Sequence, residues 1–202
     1  MPLVNIREVY PGVRLGLWEM TESENDFYAL SPAMSRYRSV VASKYKSEQR
    51  RKEFLAVRAL LHEMLDDKVG EITHNDKGKP ALKGWHISVS HTRGYAALIL
   101  SRKQEVGVDI EYFSDRVDRI ASKFLRKDEH ASDTLSRLVH WCGKETIYKL
   151  FSDDNLQYKE MRVSPFDVNS DWYCVIENLR HARKVNVDFE LTMEFVLTYC
   201  SL

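Results

Sequence analysis

Residues 105–111 read Glu-Val-Gly-Val-Asp-Ile-Glu, and this stretch decides the expected fold. Its apolar residues alternate with Gly107, Asp109 and Glu111, a period of two that predicts a β-strand. The strand therefore carries a glycine and two carboxylates on one face, where the glycine would let a ligand approach the backbone. Neighbouring carboxylates suit a hard divalent cation such as magnesium, although the same pattern also describes the solvated face of an antiparallel strand.

A second stretch, Trp-Cys-Gly-Lys-Glu-Thr-Ile-Tyr-Lys at residues 141–149, predicts a helix. Trp141, Glu145 and Lys149 follow one another at intervals of four, so they share one ridge of that helix. The ridge could supply a third metal ligand and a cation for a phosphate, or simply a surface ion pair beside a core tryptophan. Gly143 favours the first interpretation, because a glycine inside a helix costs about 1 kcal/mol relative to alanine and often marks a close approach.

The pattern around these stretches predicts an α+β protein in which helices and strands follow one another twice. Helices are expected at residues 47–65 and 127–151, and a Gly- and Pro-containing turn at residues 75–80. Strands are expected at residues 85–91, 95–101, 105–111, 162–168, 172–177, 185–189 and 192–199, with one or two short strands in residues 1–20. We predict two α+β halves, residues 1–103 and 104–202.

Composition narrows the class of protein. The chain has 202 residues, of which 44% are hydrophobic and 30% charged, as in a globular protein with one large core or two small ones. Thirty basic and thirty acidic residues give zero formal net charge, so neither nucleic acid nor a membrane surface is an expected partner. Three widely spaced cysteines predict no disulfide framework or zinc site, which favours the cytoplasm. No signal peptide or membrane-spanning stretch is predicted.

Four motifs in this order resemble the 4'-phosphopantetheinyl transferase superfamily, specifically its surfactin-synthetase type with two fused halves. They are the Gly-Lys-Pro turn at residues 78–80, the strand end at residues 87–92, the strand at residues 107–111 and the helix at residues 141–149. Residues 51–55, Phe124 and Glu129 resemble further family positions more weakly. Two departures stand out: Ser88 occupies a position where asparagine is usual, and residues 152–156 lack the family's glycine, which puts that loop's contacts with the carrier or pantetheine in doubt.

The resemblance implies a holo-[carrier protein] synthase with pseudo-twofold symmetry, acting as a monomer in the cytoplasm. Such an enzyme moves the 4'-phosphopantetheine group of coenzyme A onto a serine of an apo acyl or peptidyl carrier protein and releases adenosine 3',5'-bisphosphate. Coenzyme A and Mg²⁺, with Mn²⁺ as an alternative, would lie in the cleft between the halves. The implied metal ligands are Asp109, Glu111 and Glu145, the catalytic residues are Glu145 and Lys149, and the residues that bind coenzyme A are Arg51, Lys79, Ser90, His91, Thr92, Lys144 and Lys149.

Two competing interpretations remain at this point. A different magnesium-dependent phosphotransferase or hydrolase would use the carboxylates but leaves Lys79 and His91 without a role. A non-catalytic module that binds coenzyme A or a carrier protein would not need the carboxylates and Lys149. The proton acceptor is also open between Glu145 and, less readily, Asp109, since Lys149 would need a lowered pKa. The sequence does not indicate which carrier protein is the partner.

Overall fold

The computed structural model describes residues 2–65, 70–76 and 78–202, and it has the predicted α+β architecture. In chain order the strands are β1 (Leu3–Tyr10), β2 (Val13–Glu19), β3 (Thr73–His74), β4 (Pro80–Ala81), β5 (His86–Thr92), β6 (Tyr95–Ser101), β7 (Val106–Tyr112), β8 (Met161–Val163), β9 (Tyr173–Asn178), β10 (Arg183–Leu191) and β11 (Phe195–Ser201). The helices are α1 (Glu24–Ala29), α2 (Pro32–Ser35), α3 (Arg38–Lys44), α4 (Glu48–Leu65), α5 (Arg116–Phe124) and α6 (Thr134–Leu150), with a 3₁₀ turn at Tyr158–Glu160.

Two antiparallel sheets organise the molecule, each with one long helix packed on it. The first sheet has the strand order β1-β2-β6-β5 and is covered by α4, which buries Leu55, Leu60 and Leu61. The second has the order β7-β11-β10-β9-β8 and is covered by α6, which buries Val139 and Ile147. Each helix thus supplies one face of a separate apolar core.

The two sheets also meet each other through a third apolar cluster. Val13, Leu15, Leu17, Ala97 and Ile99 from the first sheet pack there against Val106, Val108, Ile110, Phe195 and Leu197 from the second. As predicted, the apolar residues of β7 share a face, but that face is buried between the sheets. Because α6 covers the opposite face, β7 has protein on both sides, and only its last residues are partly exposed.

Hydroxyl side chains join the facing edges of the two sheets, β5 and β7. The Ser88 hydroxyl accepts a hydrogen bond from the Val108 amide at 3.2 Å, and the Thr92 hydroxyl accepts one from the Tyr112 amide at 3.0 Å. Between them, Ser90 donates its hydroxyl hydrogen to Asp109 at 2.7 Å. We call these three contacts of Ser88, Ser90 and Thr92 the hydroxyl seam. The Ser88 and Thr92 contacts provide side-chain partners for the Val108 and Tyr112 amides of β7.

The predicted elements are placed largely as expected. The strands predicted at residues 85–91 and 105–111 each begin and end one residue later, and α4 matches its prediction within one residue. The helix predicted at residues 127–151 is too long, because Asp133 caps α6 by accepting a hydrogen bond from the Ser136 amide at 2.8 Å. The sequence pattern did not indicate α1, α2, α3 or α5. Residue 77 of the predicted turn lies outside the described residues, and the boundary between residues 103 and 104 stays a prediction.

Among the residues that the structure describes, no helix combines the length and apolarity needed to cross a bilayer.

Gly107 and Gly143 both allow close packing rather than a special backbone conformation. A Cβ atom at Gly107 would lie 2.6 Å from the Thr146 carbonyl oxygen, so this glycine lets α6 lie directly on β7. The space that the sequence suggested for a ligand is therefore filled by the helix. At Gly143, a Cβ atom would meet the Cδ1 of Ile176 at 2.7 Å, which is the movable end of a side chain.

Substituting these two glycines by alanine tests this packing. Gly107→Ala should lower the free energy of unfolding by about 2 kcal/mol or more, because a backbone oxygen of a packed helix cannot move aside easily. Gly143→Ala should be close to neutral, since the gain of about 1 kcal/mol in helix propensity offsets a small rotation of Ile176. Urea denaturation of both variants measures the difference. Equal destabilisation by the two substitutions would contradict the close approach of α6 to β7.

Candidate active site

Asp109 lies where β5, β7 and α6 meet. Its side chain is buried, and its Oδ1 atom accepts hydrogen bonds from the Ser90 hydroxyl at 2.7 Å and from the Lys149 ammonium at 2.6 Å. Lys149 also donates to the Val108 carbonyl at 3.0 Å, which fixes its position on β7. The other oxygen, Oδ2, is buried and has no hydrogen-bond partner among the described residues. A buried carboxylate oxygen without a partner is costly, so this atom is suited to a bound cation.

Glu111 lies two residues further along the same face of β7. Its Oε1 atom accepts a hydrogen bond from the Trp141 indole at 2.9 Å, which connects β7 to the first turns of α6. Burial is the main cause that raises the pKa of Glu111 to about 7, and the negative charge of Asp109 adds to the shift. The Trp141 hydrogen bond and the Lys149 charge act in the opposite direction.

Glu145 reaches the same region from α6. Its Oε1 atom accepts a hydrogen bond from the Tyr158 hydroxyl at 2.5 Å, and the Tyr158 ring packs against the Trp141 ring with 5.0 Å between centroids. Burial and the Asp109 charge raise the pKa of Glu145, while Tyr158 and Lys149 lower it. The negative charge of Asp109 therefore contributes to the raised pKa of both Glu111 and Glu145.

The chemistry of this carboxylate group fits a hard divalent cation. Within residues 2–65, 70–76 and 78–202, no three His, Cys, Asp or Glu side chains are close enough to form a ready-made metal site. Glu111 and Glu145 are instead held by Trp141 and Tyr158. The donors are nevertheless all carboxylate oxygens, which Mg²⁺ and Mn²⁺ prefer, and Oδ2 of Asp109 is available. The assignment of Asp109, Glu111 and Glu145 as metal ligands stays a prediction. The chemistry of their carboxylate groups fits it.

A cavity of about 670 Å³ adjoins Asp109 on the side of Lys149. The turn before β5 contributes Lys79 and Pro80, and α6 contributes Tyr148 and Lys149. The cavity therefore lies between β5 of the first sheet and α6, the helix that covers the second sheet. Its other lining residues are Gly78, Ile87, Ser88, Val89, Ser152 and Asn155. Its volume is within the range of small-molecule sites, and its two lysines suit an anionic ligand. Lys79 and Lys149 thus line the same cavity, and their binding of coenzyme A stays a prediction.

His91 lies on β5, is not among the residues that line the cavity, and contacts α4. Its Nδ1 atom is 3.4 Å from a carboxylate oxygen of Glu53, and Arg50 donates to the same oxygen at 2.8 Å. Burial is the main cause that lowers the pKa of His91, and the Glu53 charge opposes it. Arg50, which the sequence reasoning did not select, is therefore closer to His91 in this network than the predicted Arg51. Arg50 and Glu53 are three residues apart on a predicted helix, and this spacing could have indicated their ion pair from the sequence.

Three predicted ligand-binding residues have other partners. Arg51 donates to Glu24 at 2.6 Å and to the carbonyls of Tyr45 and Lys46, in a separate surface depression of about 530 Å³. The hydroxyls of Ser90 and Thr92 belong to the hydroxyl seam. The structure therefore does not bring these three side chains to the wall of the 670 Å³ cavity.

Lys144 is enclosed by protein rather than presented to the cavity. Its side chain has 0% exposure, and its ammonium donates to a Glu129 oxygen and to the Phe124 carbonyl, both at 2.8 Å. Glu129 also accepts from the Arg126 and Val163 amides at 2.8 and 2.7 Å, so both oxygens of this buried carboxylate accept hydrogen bonds. Burial lowers the pKa of Lys144. The ion pair ties the end of α5 and β8 to α6, and the predicted contact of Lys144 with coenzyme A has no geometric support.

Ser88 and Tyr158 are two further residues near the site that the sequence reasoning did not select. Ser88 lines the cavity and also bonds to β7, but in the sequence it was visible only as a departure from the family pattern. Tyr158 follows Glu145 by thirteen residues, across the end of α6 and a loop, so no helical or strand spacing could have paired them.

Comparison of the sequence with known families identifies the class of protein. Residues 105–200 match the sequence model of the 4'-phosphopantetheinyl transferase superfamily. The chain belongs to this superfamily, which confirms the family predicted from its motifs.

Two relatives support this membership over most of the chain. They are the 4'-phosphopantetheinyl transferase AcpT of Escherichia coli strain K12 and that of Escherichia coli O157:H7. Each is 31% identical over 172 residues, which cover 73% of this chain and 82% of the relative. The similarity therefore extends over a larger share of the chain than the matched residues 105–200.

Removing single hydroxyls tests the hydroxyl seam. Ser88→Ala and Thr92→Val should each lower the free energy of unfolding by about 1–3 kcal/mol, because each leaves a β7 amide buried without a partner. Thermal and urea denaturation measure the loss. Ser43→Ala removes an exposed helix hydroxyl that bonds only to the Val40 carbonyl, and it serves as a near-neutral control. Wild-type stability in Thr92→Val would show that the seam does not hold the sheets together.

Proposed function

We propose that this protein is a magnesium-dependent holo-[carrier protein] synthase that transfers 4'-phosphopantetheine from coenzyme A to a carrier-protein serine. Membership of the superfamily supports the reaction class. The observation that carries the site assignment is the junction at Asp109, where Ser90 and Lys149 donate to one carboxylate oxygen and the other is buried without a hydrogen-bond partner among the described residues. The cationic cavity beside it suits the phosphates of coenzyme A.

Asp109, Glu111 and Glu145 would hold the metal, which when bound supplies positive charge that stabilises the phosphates during transfer. The metal is Mg²⁺, with Mn²⁺ as an alternative of the same ligand preference. Trp141 and Tyr158 keep Glu111 and Glu145 near Asp109 through their hydrogen bonds. The protein's own contribution at this point is thus to gather three carboxylates at a site that is mostly closed to water.

Lys149 and Glu145 are the side chains closest to the proposed chemistry. Lys149 lies between Asp109 and the cavity, so its ammonium can offset the negative charge of the departing adenosine 3',5'-bisphosphate. Glu145 is the proposed acceptor of the serine proton, and its hydrogen bond from Tyr158 orients one of its oxygens. Lys79 would hold a phosphate at the cavity wall. His91, which contacts Glu53, stays a proposed ligand of coenzyme A by the family resemblance alone. Lys144 is left to its structural ion pair with Glu129.

The remaining proposals concern architecture and setting. The two sheets with their covering helices support the surfactin-synthetase type, in which two fused halves build one complete site. A single chain brings both walls of the cavity together, which supports action as a monomer. The partners are coenzyme A and an apo acyl or peptidyl carrier protein, and the three cysteines remain unpaired and buried, as expected for the cytoplasm.

Intact-mass spectrometry tests the reaction. The purified protein, coenzyme A and Mg²⁺ should add the mass of one 4'-phosphopantetheine group to the serine of a suitable apo carrier protein, and EDTA should abolish the gain. A panel of acyl and peptidyl carrier proteins covers the open choice of partner. Coenzyme A binding without transfer to any carrier would favour the non-catalytic module. Absence of coenzyme A binding would contradict the proposed function.

Asp109→Ala tests the metal assignment. We expect transfer to fall by about 100-fold or more, because the charge stabilisation that depends on this carboxylate is lost. The decrease should appear in kcat as well as in the Mg²⁺ concentration needed for half-maximal activity. Asp115→Ala removes an exposed carboxylate shortly after β7 and should transfer at the wild-type rate. Circular dichroism confirms folding of both variants; wild-type activity in folded Asp109→Ala would exclude Asp109 as a ligand.

A further inference from the structure

Tyr158, on the 3₁₀ turn that follows α6, contacts two side chains of the candidate site. Its hydroxyl donates to Oε1 of Glu145 at 2.5 Å, and its ring centroid lies 5.0 Å from that of Trp141. Trp141 in turn donates its indole hydrogen to Oε1 of Glu111 at 2.9 Å. One half-buried tyrosine therefore acts on Glu145 directly and on Glu111 through the indole.

The indole of Trp141 has a second aromatic neighbour, Phe124 at the end of α5. The two rings meet edge to face, with 5.3 Å between centroids and 68° between planes, and Phe124 is fully buried. Aromatic pairs prefer such defined geometries, so Phe124 and Tyr158 together restrict the rotation of the indole. The direction of the hydrogen bond from Trp141 to Glu111 depends on that restriction.

The 3₁₀ turn is held in place by Arg180, which lies in the turn between β9 and β10. Arg180 donates through Nε and Nη2 to the two carboxylate oxygens of Glu160, at 2.9 and 2.7 Å. A bidentate pair of this kind fixes orientation as well as distance. Glu160 also accepts from the Gln157 amide at 2.7 Å, and its carbonyl accepts from the Leu179 amide at 2.9 Å. Tyr158 is thus carried on a turn that is tied to β9.

Arg180 is itself anchored to a buried side chain. Its amide donates to Asn178 at 3.0 Å, Asn178 is fully buried, and Asn178 donates to the Asp154 carboxylate at 2.8 Å. Arg180 also donates to the Asp154 carbonyl. A second cation, Arg126, donates to the Lys159 carbonyl at 2.5 Å. The turn that carries Tyr158 is therefore fixed from two separate elements, the β9–β10 turn and the segment after α5.

We propose that Tyr158 is a positioning residue for Glu145 and Glu111, and that Arg180, through Glu160, fixes Tyr158 in this role. The inference rests on the proposed function, because it takes both glutamates as metal ligands and Glu145 as the proton acceptor. Hydrogen-bond partners of metal ligands orient those ligands, and their removal typically costs about 10- to 100-fold in metal affinity or activity. Neither Tyr158 nor Arg180 lines the 670 Å³ cavity, so binding of coenzyme A should depend little on either.

Tyr158→Phe tests the direct contact. It removes the hydroxyl and keeps the ring, so we expect kcat for transfer and the affinity for Mn²⁺, followed by electron paramagnetic resonance, each to fall by about 10-fold. The KM for coenzyme A should stay within about twofold of wild type. Tyr158→Leu also removes the ring beside Trp141 and should lose more than Tyr158→Phe in both measurements. Tyr173→Phe changes an exposed tyrosine on β9 and should match the wild type.

Arg180→Ala tests the remote anchor. We expect kcat and Mn²⁺ affinity to fall by about 3- to 10-fold, with an intermediate loss in Arg180→Lys, because lysine can donate to Glu160 but lacks the guanidinium fork. Arg162→Ala is the matched control, since it removes the ion pair of Arg162 with Glu177 between β8 and β9 of the same sheet. It should transfer and bind Mn²⁺ like the wild type. All assays are made well below the melting temperature of each variant, so that loss of fold does not contribute.

Three results would overturn the inference. They are wild-type kcat and Mn²⁺ affinity in folded Tyr158→Phe, tighter Mn²⁺ binding in that variant, which would mean that the hydroxyl competes with the metal for Glu145, or equal losses in Arg180→Ala and Arg162→Ala. Each of them leaves the proposed function standing if the wild type transfers 4'-phosphopantetheine. A wild type that neither transfers nor binds Mn²⁺ would remove both the proposed function and this inference.

Discussion

One carboxylate oxygen, Oδ1 of Asp109, joins the three elements on which the site depends. It accepts a hydrogen bond from Ser90 on β5 and another from Lys149 on α6, while Asp109 itself belongs to β7. Charge-assisted hydrogen bonds in a buried setting are strong and directional, so the position of each element depends on the other two. The cavity beside Lys149 has its shape because β5 and α6 are held at this distance on either side of β7.

The same junction concentrates negative charge that the protein only partly compensates. Lys149 is the cation bonded to Asp109, whereas Glu111 and Glu145 receive neutral donors, Trp141 and Tyr158. Burial and the charge of Asp109 raise the pKa of both glutamates, which is the electrostatic cost of placing carboxylates together away from water. Lys144, which the sequence reasoning predicted as a second cation for this region, instead forms a buried ion pair with Glu129.

Local patterns could predict the strands and helices that carry the site, because the alternation in β7 and the four-residue spacing in α6 report directly on which side chains share a face. The patterns in residues 105–111 and 141–149 thus predicted which faces of β7 and α6 carry the three carboxylates and Lys149. Long-range partners were not predictable in this way. Ser90 and Thr92 point across to β7 rather than into the cavity, and Lys144 turns inward, because the packing of α6 on β7 decides which side of each element is buried. The role of Gly107 was unpredictable for the same reason. The sequence suggested that this glycine leaves room for a ligand, whereas in the folded protein α6 packs against it.

Manganese binding followed by electron paramagnetic resonance tests the central claim, that Asp109 is the focus of a divalent-metal site. Asp109→Asn is the appropriate comparison, because asparagine retains an oxygen that can accept from Ser90 and Lys149 but removes the negative charge. In the presence of coenzyme A, the wild-type protein should bind one Mn²⁺ per chain, and Asp109→Asn should bind it about 10-fold more weakly or worse. Equal Mn²⁺ affinity in the two folded proteins would contradict the account.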